Sequence, residues 1–243
     1  VVILYVDDLL TFSNDANMKA EFTEALCKKF KVEDKGKLQY YLGINIQSHG
    51  HTCTMDQRKY VSELLDEFGM NDEHSVTTPV AKAQSEDTRL LTEEQAATFR
   101  RMVGCLVYVA IMTRPDIAFA VSLCSRQLHK PAIKDKVAVE RVYRYLKDTM
   151  EYKLVYNSPN STITLHVDSD LAGCKVTARS QTGLVLMMFG AVVAWRSARQ
   201  LLVALSTSEA EFMGMCDGAK ELVYHTQFLE ETGIPELQQP GIL

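Results

Sequence analysis

The sequence lacks four things, and each absence narrows what it can be. No stretch approaches the ~18 consecutive uncharged apolar residues of a membrane span; the run around Val103 to Met112 is too short. The opening residues show no charged stretch followed by an apolar run and a small-residue cleavage site, so no secretory signal is read there. There is no basic excess: 26 Lys and Arg against 31 Asp and Glu give a net charge of −5. Nucleic-acid enzymes usually show a basic face, so the balance weakens such a reading, although a local patch can coexist with an acidic total. Finally, the six cysteines (Cys27, Cys53, Cys105, Cys124, Cys174, Cys216) have no paired spacing. They read as reduced thiols of an intracellular protein. His49-Gly-His51-Thr-Cys53 has a superficial zinc look, but no second ligand pair follows, and a Gly-centred hairpin explains it better.

What is present is ordinary for a folded chain: 243 residues, 47% hydrophobic and 23% charged. That length holds one large domain or two modest ones, each with a core. The opening is the most informative stretch. Val1-Val-Ile-Leu4 runs into Tyr5-Val-Asp7-Asp8, and Leu9-Leu-Thr-Phe12 resumes the apolar pattern. Two β-branched, apolar segments around a pair of carboxylates read as a hairpin with the aspartates at its bend. Adjacent anions on an otherwise buried hairpin cost free energy unless a cation sits against them. Hard oxygen ligands suit Mg²⁺. The alternative is a plain turn that uses Asp for turn propensity.

Along the chain, Asn14 to Asn17 can cap a helix to about Phe30, with Met18, Phe22, Leu26 and Phe30 on one face. Leu38 to Gln47 reads as a strand, with a turn at His49-Gly50-His51 and a return through Met55. Asp56 can cap a helix carrying Tyr60, Val61, Leu64, Leu65 and Phe68, ended near Gly69. Asn71 to Leu91 turns polar and reads as a linker. Thr92-Glu-Glu-Gln95 is a capping box for a helix to Met112. Asp116 starts another, and Pro131 opens a third with Val137, Arg141, Val142, Tyr145 and Leu146.

The period then changes. Leu154–Tyr156, Thr162–Val167, Leu184–Phe189 and Ala191–Trp195 read as short strands, punctuated by Pro159-Asn160 and Gly190. Ser206-Thr-Ser-Glu209 is a second capping box before a long helix with Phe212, Met213, Leu222, Val223 and Phe228, ending near Gly233-Ile-Pro235. Residues 236–243 look too few for another element. Strands followed by a packed helix make an α+β layer. Asp168 ends one strand and Glu211 lies in the first turns of the helix. A strand carboxylate and a helix carboxylate can share a metal ion, and phosphodiester cleavage uses two such ions about 4 Å apart. Spacing alone equally allows a strand-end acid and a solvated helix acid. Asp170 and Asp217 are weaker metal candidates.

Taken in order, Tyr5-Val-Asp-Asp8, Tyr41-Leu-Gly-Ile44, Gln57-Arg-Lys-Tyr60, Arg101-Met-Val-Gly104, Thr113-Arg-Pro-Asp-Ile-Ala118, Arg144-Tyr-Leu-Lys147, Val167-Asp-Ser-Asp170, Trp195-Arg-Ser197 and Val203-Ala-Leu-Ser-Thr-Ser-Glu-Ala-Glu-Phe212 resemble the pol region of copia-type long-terminal-repeat retrotransposons across essentially the whole length. The resemblance implies a reverse transcriptase palm and thumb over 1–80, a helical connection over 81–150, and a truncated ribonuclease H-like sheet with its packed helix over 151–243. By the same resemblance Asp7 and Asp8 are metal-binding catalytic aspartates, and Tyr5, Leu42 and Gly43 contact nucleic acid, the Leu42-Gly43 turn gripping the primer strand. Asp168 and Glu211, rather than Glu209, resemble the ribonuclease H acids. Arg179-Ser180 and Trp195 match positions read as structural. Two-metal Mg²⁺ chemistry, an RNA template, a DNA primer and an RNA–DNA hybrid follow as implied partners. An intracellular setting is implied too, in a cytoplasmic virus-like particle or the nucleus, with no membrane.

The departures set further expectations. The third polymerase aspartate and later ribonuclease H acids have no counterpart here, and the chain reads as cut at both ends. The family's Asp-Ala-Asp-Trp-Ala-Gly-Asp stands here as Asp168-Ser-Asp-Leu171-Ala-Gly-Cys174. Two readings remain: an enzyme by descent that copies RNA and cleaves hybrids, or a nucleic-acid-binding or inert remnant that catalyses nothing. The sequence reading leans to the remnant, and expects marginal stability from unpaired sheet edges.

Overall fold

Val2–Tyr5 (β1) and Asp8–Thr11 (β2) pair antiparallel, joined at Val6-Asp7, in a computed structural model that describes residues 1–81, 85–157, 162–188, 190–232 and the backbone of 241–242. The sequence signals at Pro159-Asn160, Phe189 and Gly233-Ile234-Pro235 fall outside the described residues. All of β1 is exposed. Ala16–Lys29 (α1) is capped by the Asp15 carboxylate, which accepts from the Asn17 and Met18 amides. Its expected apolar face finds no core: no α1 residue is buried, and Met18 is 64% exposed. A periodic stripe marks which side could be buried, but a neighbour must exist to bury it.

The stretch read as one strand from Leu38 is two. Tyr40–Tyr41 (β3) turns at Leu42-Gly43 into Ile44–His49 (β4), with Tyr41 opposite Ile44. Thr52–Asp56 (β5) returns antiparallel to β4 through the Gly50 turn. Arg58–Glu67 (α2) follows. The expected cap, Asp56, remains in β5 while accepting the Arg58 amide at 3.1 Å, and Gln57 takes the cap position. Gly69, at φ +63°, ends the helix, a conformation that only glycine adopts without strain.

The polar stretch after α2 is strapped down. Arg141 donates to the Thr78 carbonyl at 3.0 Å, the Leu91 amide donates to the Pro131 carbonyl at 3.0 Å, and Ile133 donates to Arg89 at 2.9 Å. Glu93–Met112 (α3) has the capping box that the sequence signals, Thr92 and Gln95 exchanging bonds. Ala118–Ser125 (α4) and Ile133–Asp148 (α5) complete a bundle whose core joins Val61, Leu65, Phe99, Leu106, Ile117, Tyr143 and Leu146. On α5, Val137 is 40% exposed while Val139 and Tyr143 are fully buried, a shift of the apolar face set by the position of α3. Arg114 is buried at the centre of this module. It forks onto Asp116, donates to Thr149, and lies 5.3 Å from the Tyr152 ring centre. The Thr-Arg-Pro-Asp motif is therefore a latch between the end of α3 and the end of α5.

Leu154–Tyr156 (β6), which sequence order groups with the later strands, pairs instead with β5: Cys53 opposes Tyr156 and Met55 opposes Leu154. The first large sheet runs β3-β4-β5-β6. The second is built from Thr164–Ser169 (β7), Gln181–Met188 (β8) and Ala191–Arg199 (β9), all antiparallel. Thr207–Glu231 (α6) crosses it. Gly241–Ile242 (β10) then lies parallel to β7, giving the order β10-β7-β8-β9. The sequence expectation of no further element is thus corrected by a two-residue strand, whose pairing comes from the neighbouring β7 rather than from its own length. The chain is α+β.

The large residues read as the buried face of α6 are mostly outside: Phe212 is 67% exposed and Phe228 51%. The buried face is Ala210, Gly214, Gly218 and Leu222, at four-residue spacing. A Cβ on Gly218 would come within 2.6 Å of Val167, and one on Gly214 would collide with Ser169. Small residues let the helix backbone lie on the strand, which hydrophobicity patterning does not register. The other face of the sheet meets the bundle. Trp195 donates to the Ala110 carbonyl at 2.7 Å, and the Gln181 side chain meets Ser122 and Arg126 on α4. Among the described residues, no helix is long and apolar enough to cross a membrane.

Candidate functional site

The β1–β2 hairpin presents both carboxylates to solvent. Asp7 occupies the bend and Asp8 opens β2 opposite Tyr5. Val6 sits at φ +54°, a left-handed conformation that is an outlier for a β-branched residue. Strain of this kind is tolerated where the backbone must present neighbouring groups in one geometry. The bend therefore departs from an ordinary Asn-Gly or Asp-Gly hairpin.

Leu42 and Gly43 form the second feature. Both have positive φ, +48° and +75°, as a two-residue turn of the primed type requires. The turn is held from α3, where the Tyr108 hydroxyl donates to the Leu42 carbonyl. Burial first, and then the charges of Tyr40 and Tyr5, push the Tyr108 phenol above its ordinary pKa. Next to the turn is a cleft of about 390 Å³ lined by Tyr40, Asn45, Gln47, Arg58, Lys59 and Lys153, among others. Arg58 is paired with Glu151 at 3.0 Å, and Lys59 lies 5.7 Å from the Tyr40 ring centre. Asp56 and Glu151 line the same cleft, so its cations face acids as well.

In the second sheet, Asp168 pairs with Gly183 and Ser169 with Thr182. Leu165, Val167 and Ser169 face α6. Alternation along the strand turns exposed Asp168 to the opposite face, in one row with Gly183 and Ser197. A Cβ at Gly183 would meet nothing within 4 Å, so the surface beside Asp168 is open. Gly218 lies against Leu165 and Val167, and Gly214 against Val167 and Ser169, so α6 runs antiparallel to β7. Its first turn reaches the carboxyl end of that strand. Glu211 and Asp168 therefore share one end of β7 but lie on opposite sides of the sheet. Glu209 is occupied: its backbone amide donates to Ser206 and its carboxylate accepts from the Leu205 amide at 2.7 Å.

Two other acids are held by structural bonds. Asp170 accepts from the Gln181 and Gly173 amides, at 2.8 and 3.2 Å. Asp217 is paired with Arg196 at 2.8 Å and Lys220 at 3.1 Å. Ser180 is fully buried and accepts from the Ala172 amide.

Sequence reasoning missed Gln200. It is buried, and its Nε2 lies 2.8 Å from the Ala210 carbonyl, 2.9 Å from Thr182 Oγ1 and 3.4 Å from Ser169 Oγ. It ties the start of α6, immediately before Glu211, to the end of β7, immediately after Asp168. Its position between Arg199 and the apolar run over residues 201–205 carries no signal of burial for a polar side chain.

The carboxylates fit Mg²⁺ in kind, being exposed hard oxygen donors. In number they do not: no group of three or more His, Cys, Asp or Glu side chains able to hold a metal occurs among the described residues.

Residues 1–82 match the family described as reverse transcriptase (RNA-dependent DNA polymerase). The whole chain resembles longer and shorter proteins alike. It is 32% identical to a retrovirus-related Pol polyprotein from transposon TNT 1-94 of Nicotiana tabacum, over 96% of this chain and 18% of that protein. It is 31% identical to the polyprotein from transposon RE1 of Arabidopsis thaliana, over 100% of this chain and 16% of that one. An uncharacterized mitochondrial protein of the same plant, AtMg00810, is 31% identical over 92% of this chain and 93% of its own length. The chain thus spans less than a fifth of the two polyproteins. No solved structure matches it. By these similarities the chain belongs to the copia-type, retrovirus-related Pol polyproteins of transposons and carries a reverse transcriptase-like region.

Proposed function

We propose that this chain is the part of a reverse transcriptase that presents carboxylates to the polymerase centre and holds the primer–template, followed by a ribonuclease H-like layer. The observation that carries the reading is the exposed Tyr5-Val-Asp-Asp8 bend, strained at Val6, beside which the chain offers a second left-handed turn at Leu42-Gly43 held by Tyr108. Asp7 and Asp8 would hold Mg²⁺, which when bound supplies the positive charge that phosphoryl transfer needs. Tyr5, Leu42 and Gly43 would lie along the primer, with the turn's backbone offered to the strand. In the cleft, Lys59 and Lys153 would take phosphates, with Arg58 tied to Glu151.

The hybrid-cleavage part of the reading rests on the carboxyl end of β7, to which both acids come from opposite faces of the sheet. Asp168 stands at an open sheet face, and Glu211 begins the helix that crosses at the same strand end. For phosphodiester chemistry the two acids would have to meet beyond the end of β7, with Gln200 fixing the distance between the elements that carry them.

The shortage of ligands favours binding without turnover for this chain by itself. Two carboxylates per centre leave transition-state charge poorly neutralised, which typically removes orders of magnitude of rate. In fluorescence anisotropy, a labelled RNA–DNA primer–template should bind the chain, and binding should weaken steeply with salt. Primer extension with Mg²⁺ should show no incorporation. Failure to bind the hybrid at low salt would refute the nucleic-acid reading. Incorporation abolished by Asp8→Asn would refute the inactivity.

A further inference from the structure

The Leu42-Gly43 turn is not held by its own hairpin alone. Leucine at φ +48° is in a conformation that L-residues with a side chain disfavour, and β3 contributes only two residues to the pairing beside it. The clamp comes from 66 positions away. Tyr108 on α3 donates its hydroxyl to the Leu42 carbonyl, and its ring packs edge-on against Tyr60 at 5.3 Å. A Cβ on Gly43 would meet the Tyr108 hydroxyl oxygen at 3.3 Å, so the phenol lies directly over the turn. A phenol is protonated near neutral pH and so able to donate, and burial pushes this one's pKa further up. Tyr108 lies beyond residues 1–82, the stretch that matches the reverse transcriptase family.

We propose that Tyr108 is a positioning residue for nucleic acid: its hydroxyl locks the Leu42-Gly43 turn in the left-handed conformation that offers the turn's backbone to a primer strand. This rests on the reading of the turn as a strand-gripping element. The bundle thereby sets the shape of the nucleic-acid surface rather than merely supporting it.

The chain supplies its own control. Tyr143 on α5 also donates a buried hydroxyl to a backbone carbonyl, that of Met102 at 2.9 Å, inside the bundle core. Tyr108→Phe and Tyr143→Phe each delete one such bond. Affinity for a fluorescein-labelled RNA–DNA primer–template and amide exchange at residues 41–44 are then measured on the full chain. Tyr108→Phe should weaken hybrid binding about fivefold, the typical worth of one hydrogen bond, and should speed exchange at 41–44. Tyr143→Phe should do neither, even where it lowers the melting temperature as much or more. Equal hybrid affinity for wild type and Tyr108→Phe overturns the proposal. If Tyr108→Phe does not fold, Gly43→Ala crowds the same hydroxyl and carries the test, with unchanged affinity overturning the proposal. If the wild-type chain binds no hybrid, the reading of the turn fails first and the role of Tyr108 fails with it.

Discussion

Replacing Gln200 with leucine isolates the join between β7 and α6. The side chain is 8% exposed, so the substitution keeps apolar volume and deletes a donor in a closed space. Ser169 and Thr182 retain each other at 3.0 Å, which limits their loss. Among the described residues the Ala210 carbonyl loses its one side-chain donor, and the Thr182 hydroxyl loses a 2.9 Å bond. Leaving buried acceptors without a donor costs about 1–3 kcal/mol each, less where another partner remains. The expected total is roughly 2–3 kcal/mol, or about 5–10 °C in melting temperature for a chain of this size.

The chain contains one tryptophan, Trp195 on β9, bonded to α3 through the Ala110 carbonyl. Its fluorescence reports on the sheet and its seat on the bundle, and circular dichroism at 222 nm reports on the helices. Urea unfolding followed by both signals gives the cost and tests whether the two modules unfold together. Gln127→Leu, at an exposed position, should stay within about 0.5 kcal/mol of wild type. A loss below about 0.5 kcal/mol for Gln200→Leu would refute the claim that this side chain pins α6 to β7.

Arg114→Met removes a buried guanidinium and leaves Asp116 and Thr149 short of donors, so it should destabilise by about 3 kcal/mol in the same assay. Arg58→Met, in an exposed pair, should cost under about 1 kcal/mol. Val6→Gly should relieve the left-handed bend by about 1 kcal/mol and slow amide exchange across the β1–β2 hairpin; faster exchange would contradict the assignment of strain there. At Cys174, the Thr177 hydroxyl and the Arg199 guanidinium lower the thiol pKa from 9.0 to about 6, burial being a smaller opposing effect. Of the two donors, Arg199 has the supporting geometry, with Nη1 3.5 Å from the sulfur, whereas the Thr177 hydroxyl makes no well-aligned bond. A depressed acid pKa stabilises the fold fully above the ordinary thiol value and loses that contribution as pH falls through the lowered one. Stability should therefore rise with pH across that window, and Cys174→Ser should flatten the rise.

Where structure follows from neighbours in sequence, the sequence alone determined it. The Thr92 and Ser206 caps, the glycine that ends α2, the hairpin carrying Asp7 and Asp8, and the strands around Asp168 are set by bonds and dihedral preferences spanning a few residues. The tertiary structure decided whatever depends on partners brought from far along the chain. It moved Leu154–Tyr156 onto β5, strapped the polar stretch along α5, and left the apolar stripe of α1 uncovered. It seated α6 through glycines rather than through its large residues. The functional consequences have the same origin. Asp168 and Glu211 fall on two sides of one sheet because strand alternation and helix direction are fixed only once β7 and α6 pack. Gln200 and Tyr108 acquire roles only because folding brings their polar ends to the backbone carbonyls of Ala210 and Leu42, 10 and 66 positions away.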